Sequence, residues 1–254
     1  MTADLKAAAR TALACLDLTS LNDGDTAADI DALCRRARTA HGDVAAVCVW
    51  PRFVAQARAA LPAAVKVAAV ANFPDGSLDV QRALADVAEI AQAGGDEVDV
   101  VLPYRALLAG DSTEVAEFLS EVRFASRPLT LKVIIESGEL HTPERIAQAT
   151  RLALAAGADF VKTSTGKTKT GATPAAAAVM LKEIAASGLS NAGFKASGGV
   201  RSVADAAGYI AQAQAALGAD ALNPQRLRFG ASGLLTDIEA VLTGAESAAV
   251  TAAY

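Results

Sequence analysis

The sequence is short of the residues from which metal centres are built. Histidine occurs only at His41 and His141, too few for a multi-histidine site, so neither a metal nor a cofactor is expected. Cysteine occurs at Cys15, Cys34 and Cys48, an odd number with no C-x-x-C spacing; this argues against a disulfide framework and a structural zinc site and leaves reduced thiols. No run of Lys or Arg stands out in a chain of net charge -5, which removes electrostatic support for nucleic acid as a partner. No stretch approaches the ~20 apolar residues that span a bilayer. Met1 to Arg10 carries Asp4, Lys6 and Arg10 and no apolar core of a leader segment. A cytoplasmic protein with no membrane partner is the expectation. Aromatics are only 4% of the chain, which disfavours an aromatic-rich β-sandwich and suits closely packed helices.

What is present is a regular beat. Short β-favouring runs fall at Cys15–Thr19, Val44–Trp50, Val65–Ala71, Glu97–Leu102, Leu129–Ile135, Asp159–Ser164, Ala192–Ala196 and Leu227–Ala231. They are separated by steps of roughly 22 to 34 residues, room for one helix and two loops each. Helix-start signals lie between them: Thr26 with Asp29 as a capping box, then Thr142 before Pro143 and Thr173 before Pro174. Alternating elements predict an α/β protein with a parallel sheet, and eight units predict a single (β/α)8 barrel, the TIM-barrel architecture; strand count alone leaves an open doubly wound sheet as the alternative. The 254 residues are read as one domain, 1–254. Residues 1–14 are expected to form an additional N-terminal helix over the bottom of the barrel, and 244–254 a flexible tail.

Ionisable residues sit inside these apolar strand runs. Asp17, Asp99, Lys132, Lys162 and Lys195 lie on different strands, mostly close to the following loop, where barrel enzymes gather reacting groups. A lone strand charge is ordinarily a solvent-facing or paired structural residue; five together point to a shared site. A lysine attacks a carbonyl only when neutral, and its ordinary pKa of about 10.4 leaves well under 1% neutral at pH 7. A second ammonium about 5 Å away, at an effective dielectric of about 20, lowers that pKa by about 2.4 units. Lys195, one unit after Lys162, is placed to do this, and burial acts in the same direction.

Two glycine-rich turns follow the last two strands, Ser197-Gly198-Gly199-Val200-Arg201 and Gly230-Ala231-Ser232-Gly233, each leading into a helix. Such turns bring backbone N–H groups to an anion, and this end of a barrel is a recurrent phosphate site. Gly166 and Lys167 are expected to form a third wall. A small phosphorylated metabolite is the expected ligand.

The segments LDLTSL, AAVCVWPRF, VANFPDG, DEVDVVLPYRAL, LKVIIESGEL, GADFVKTSTGK, GFKASGGVR and RFGAS resemble the deoxyribose-phosphate aldolase family along almost the whole chain. The resemblance implies a metal-independent lyase that reversibly cleaves 2-deoxy-D-ribose 5-phosphate to D-glyceraldehyde 3-phosphate and acetaldehyde in deoxyribose phosphate catabolism. By motif it implies Lys162 as the Schiff-base nucleophile, Lys195 as the neighbour that lowers its pKa, and Asp99 as the acid/base group. Asp17 and Lys132 become supporting partners, and Tyr254 matches a C-terminal tyrosine that shuttles protons in some members. Cys48, Thr19 and Thr165 fall at the cavity, with Cys48 a small buried core residue. The phosphate set is Gly166, Lys167, Gly198, Gly199, Val200, Arg201, Gly230, Ser232 and Gly233. Gly233 stands where some members have a serine, removing one hydroxyl; Ser197 and Trp50 also depart from the pattern. A homodimer is compatible with the family. Two alternatives stay open: a lysine-dependent aldolase for a larger keto or hydroxylated sugar, and a catalytically silent sugar-phosphate sensor.

Overall fold

Eight parallel strands close into a barrel in the computed structural model, which describes residues 3–244. They are β1 Leu16–Thr19, β2 Ala46–Val49, β3 Lys66–Ala71, β4 Glu97–Val101, β5 Thr130–Ile134, β6 Phe160–Lys162, β7 Gly193–Ser197 and β8 Leu227–Ala231. Each pairs with its neighbours in chain order, and β1 closes the ring by pairing with both β2 and β8. Every expected strand forms, seven within their expected runs and β7 reaching one residue past its own, to Ser197. Closure leaves no free edge, so the open-sheet alternative falls. Tyr254 and the rest of 245–254 lie outside the described residues.

The intervening helices cover the barrel because their apolar faces have nowhere else to go. In α4, Val80–Gln92, the buried residues Ala83, Val87 and Ile90 recur at the spacing of one helical face. The expected helix starts form with their caps: Thr26 and Asp29 close a capping box before α2, Ala27–Arg36, and the hydroxyls of Thr142 and Thr173 accept from the N–H groups of Arg145 and Ala176. Each cap stabilises its helix by about 1 kcal/mol, fixing where the strand-to-helix loops end and therefore where the residues on them point.

The additional helix α1, Ala3–Ala14, is present. It packs on the outer helices α10, Val203–Leu217, and α11, Leu234–Thr243. It does not cap the barrel, because the cavity at the N-terminal ends of the strands is lined by Glu97, Thr130, Phe160, Arg228 and their neighbours and by no residue of α1. A two-residue antiparallel hairpin, Arg38–Thr39 with Gly42–Asp43, was not foreseen; strands that short show no alternation. Among the described residues no helix is long and apolar enough to cross a membrane.

Candidate active site

Strand alternation sends every second side chain into the barrel, and here the inward row is charged. Lys162 pairs in register with Lys195, and Lys195 with Arg228; Asp99 pairs with Lys132. The result is a column of ion pairs buried along the barrel axis. At its foot the Arg228 guanidinium donates to Glu97 through Nη2 at 2.8 Å and Nη1 at 3.2 Å, and to Asp17 Oδ1 at 2.5 Å. Lys132 Nζ lies 2.5 Å from Glu97 Oε2 and 2.8 Å from Asp99 Oδ1. Lys195 donates to Asp17 Oδ2 and, at 2.7 Å, to Asp99 Oδ2. Lys162, at the top, donates to the same Asp99 Oδ2 at 2.7 Å. The five strand charges singled out in the sequence therefore meet at one place, each buried.

Burial on this scale is not a device for stability, since well-packed apolar side chains do as well in a core. It divides the lysines into two kinds. For Lys162, burial is the largest influence and pulls the pKa below the ordinary lysine value; the Lys195 ammonium adds to this, and Asp99 opposes it. For Lys195, burial is outweighed by Asp17 and Asp99, so it stays protonated. Lys132 is likewise held protonated against burial by Asp99, Glu97 and Asp17. Burial alone would raise Asp99, but Lys132, Lys162 and Lys195 hold its carboxyl well below the usual range; Asp17 is held down in the same way by Arg228, Lys195 and Lys132. A neutral amine beside a fixed ammonium is what a carbonyl nucleophile requires. Its main cause is burial, where the sequence reading had put Lys195 first.

Above the column opens a cleft of about 330 Å³, lined by Thr19, Thr165, Gly166, Lys167, Ser197, Gly198, Gly199, Val200, Arg201, Gly230, Ser232 and Gly233, with Ser20, Leu21, Asn22 and Ala231 completing the wall. All the residues proposed for phosphate are brought together there. Gly198 has φ +83°, and a Cβ on it would sit 3.0 Å from Gly171 Cα, so any larger residue is strained in the turn. A Cβ on Gly230 would sit 2.7 Å from Ser197 Oγ and 3.1 Å from Lys195 Cε; this glycine makes room for the lysine. Lys167 is fixed by donating to the Leu21 carbonyl at 2.6 Å. Helices α10 and α11 begin directly after the two glycine turns; the first N–H of α10, at Val203, is taken by Asp237 Oδ2 at 2.7 Å.

Cys48 is fully buried and outside the cleft lining, its thiol pushed up by burial and by Asp99. Trp50 is also outside it; its indole donates to the Asn22 carbonyl at 3.1 Å and so props the cleft wall. Among the described residues no cluster of His, Cys, Asp and Glu is arranged to hold a metal ion.

Three buried residues were missed in the sequence: Arg228, Glu97 and Glu136. The first two could have been found, because Glu97 shares the alternation of Asp99 in EVDVV and Arg228 interrupts the apolar run of β8. Glu136 carries no such signal. Fully buried at φ +48°, it accepts from Thr165 N at 3.2 Å and from the Thr165 hydroxyl at 2.5 Å, so it ties down the loop that carries Gly166 and Lys167.

A family model described as DeoC/LacD family aldolase matches residues 11–239. The chain is 45% identical over 250 residues, 97% of this chain and 96% of the other, to a deoxyribose-phosphate aldolase of Agrobacterium fabrum. It resembles the apo structure of a protein from Toxoplasma gondii provisionally assigned as a deoxyribose-phosphate aldolase, with TM-score 0.87, 26% identity and 97% and 100% of the two chains covered. A protein of the same provisional assignment from Coccidioides immitis gives TM-score 0.80 at 29% identity, covering 92% and 86%.

Proposed function

The chain belongs to the DeoC/LacD family of aldolases, and from that membership and the buried lysine column we infer that it reversibly cleaves 2-deoxy-D-ribose 5-phosphate to D-glyceraldehyde 3-phosphate and acetaldehyde. The observation that carries the reading is one lysine, Lys162, held toward neutrality in contact with a carboxylate that a protonated lysine shares. The chain acts as one catalytic unit in deoxyribose phosphate catabolism. Its three thiols are buried and form no disulfide, Cys15 being pushed up to about 12 chiefly by burial, which supports a reducing, cytoplasmic setting. A homodimer is the oligomeric form we propose.

Lys162 Nζ attacks the aldehyde carbon C1 of the open-chain sugar, and the carbinolamine loses water to give an iminium. A three-carbon product fixes the bond that breaks as C2–C3. The C3 hydroxyl gives up its proton, the C2–C3 electron pair moves into the iminium, and C3 becomes the aldehyde of glyceraldehyde 3-phosphate. The enamine left on Lys162 takes a proton at C2, and water hydrolyses the new iminium to acetaldehyde and free lysine. Asp99, in hydrogen-bond contact with Lys162 Nζ at 2.7 Å, moves these protons through water. Lys195 keeps its charge throughout. Thr19 and Thr165 line the cleft.

The phosphate occupies the cleft between Lys167, Arg201 and the N–H groups of the two glycine turns. Gly198→Ala imposes a left-handed alanine, a strain of about 1–2 kcal/mol, in the wall of that pocket. The expected result is a KM for deoxyribose 5-phosphate raised about tenfold with kcat little changed, read by steady-state kinetics; equal losses in kcat and kcat/KM would place the turn against the reacting carbons instead.

The reading is tested by comparing kcat/KM for 2-deoxyribose 5-phosphate, free 2-deoxyribose, ribose 5-phosphate and ketose phosphates, with chelator present. Deoxyribose 5-phosphate is expected to be best, and loss of the phosphate to cost at least about 10²-fold, two charge-assisted hydrogen bonds' worth. Preference for ribose 5-phosphate or a ketose phosphate would identify an aldolase of different substrate, and binding without turnover a sensor.

A further inference from the structure

The steps above use the top of the charged column and leave its foot without a task. Arg228 and Glu97 lie at the end of the barrel away from the cleft, where they line a separate cavity of about 380 Å³ with Lys66, Thr130 and Phe160. We propose that Arg228 and Glu97 are a positioning pair that sets the charge balance of the column, and thereby determines that Lys162 is the lysine that gives up its proton. The proposal rests on Lys162 being the nucleophile.

The column holds three carboxylates, Glu97, Asp17 and Asp99, against four cations, Arg228, Lys132, Lys195 and Lys162. With every group ionised it carries one uncompensated positive charge among side chains that are all buried, so one cation is disfavoured. Among the described residues Arg228 contacts two carboxylates, Lys132 three and Lys195 two, whereas Lys162 has only Asp99 Oδ2, already shared with Lys195. The proton leaves with least loss from Lys162.

Arginine at the foot makes the imbalance permanent, because a guanidinium does not deprotonate where a lysine would. It is seated by the Pro224 carbonyl at 2.5 Å and by the Phe160 ring at 5.5 Å, on the strand that carries Lys162. By occupying Asp17 Oδ1 it leaves only Oδ2 to the lysines. Glu97 takes the opposite part, drawing Lys132 toward the foot at 2.5 Å. The other ionisable groups at the two ends are Cys48 beside Lys162 and Cys15 beside Arg228, both thiols kept neutral by burial, with Lys66, Asp159 and Arg226 around the foot cavity and Lys167 and Arg201 at the cleft.

The two partners therefore have effects of opposite sign. A unit charge on the order of 10 Å away, at an effective dielectric of about 20, moves a titration by about one pH unit. The experiment measures reductive methylation of Lys162 by formaldehyde and cyanoborohydride against pH, mapped by mass spectrometry, with exposed Lys169 in the same digest as reference. Arg228→Met is expected to raise the Lys162 midpoint by about one unit and Glu97→Gln to lower it by about one. The double variant, which removes one charge of each sign, returns within about 0.3 unit of the wild type. Shifts of the same sign, or none above about 0.3 unit, overturn the proposal. If Arg228→Met fails to fold, the near-isosteric Glu97→Gln decides alone by the direction of its shift. The labelling does not require turnover: opposed shifts in a protein that cleaves no sugar would leave the charge balance standing and remove the reaction, and unmoved midpoints in an active aldolase would do the reverse.

Discussion

Replacing Lys162 with methionine abolishes turnover, a loss on the order of 10⁴-fold or more, and leaves the protein folded and no less stable. The activity loss follows because the lysine is the covalent electron sink and no other lysine in the column is held toward neutrality. The stability result follows from the sign of its titration. A lysine whose pKa is lowered on folding contributes most above its ordinary value and loses that contribution as pH falls, so at neutral pH its burial is a cost. Methionine has similar length and no charge to desolvate, and Asp99 keeps Lys132 and Lys195. Kinetics beside thermal denaturation checks both halves. Activity within tenfold of wild type would remove Lys162 from the nucleophile's place; a melting point lowered by many degrees would show that the column needs its fourth cation.

Asp99→Asn is expected to be the most damaging single change to the column as a whole. Asp99 is the one carboxylate that touches three ammonium groups, and neutralising it leaves four cations facing Asp17 and Glu97. Breaking a buried pair in this way costs about 3–5 kcal/mol, and kcat falls by about 10²–10⁴ as the proton carrier is lost. The stability deficit has a pH signature. Because Asp99 is held well below its ordinary pKa by the three lysines, despite burial, its contribution is fully present above about pH 4 and is lost as pH falls toward the folded value. Wild type and variant should therefore converge in denaturant stability at low pH. A deficit that stays constant down to pH 3 would mean that the aspartate acts by shape and not by charge.

Much of this was legible in the sequence because strands of a barrel obey one rule, alternation, and the site breaks it visibly. Lys162 in FVKTS and Asp99 in EVDVV are charges where an apolar core belongs, and the eight-fold beat says which strands they share a barrel with. Arg228 and Glu97 were passed over for a different reason: each stands near the start of its strand, where a charge is ordinarily solvent-facing. The alternation of EVDVV and the break in the apolar run of β8 mark them, and the register beside Lys195 and the contact between the two place them inward. Glu136 is beyond any periodic reading, since its part depends on a left-handed backbone that turns a loop glutamate into the interior. The position of α1 depends likewise on which outer helices offer it an apolar face, a tertiary property that its own amphipathic pattern does not encode.

The measurement that bears most directly on the account is capture of the intermediate itself. The protein is incubated with 2-deoxyribose 5-phosphate and chelator, reduced with borohydride, digested and mapped by mass spectrometry. The account predicts one stable adduct, on Lys162, and none on Lys132 or Lys195. An adduct on another lysine, or turnover of the sugar with no adduct at all, would contradict it.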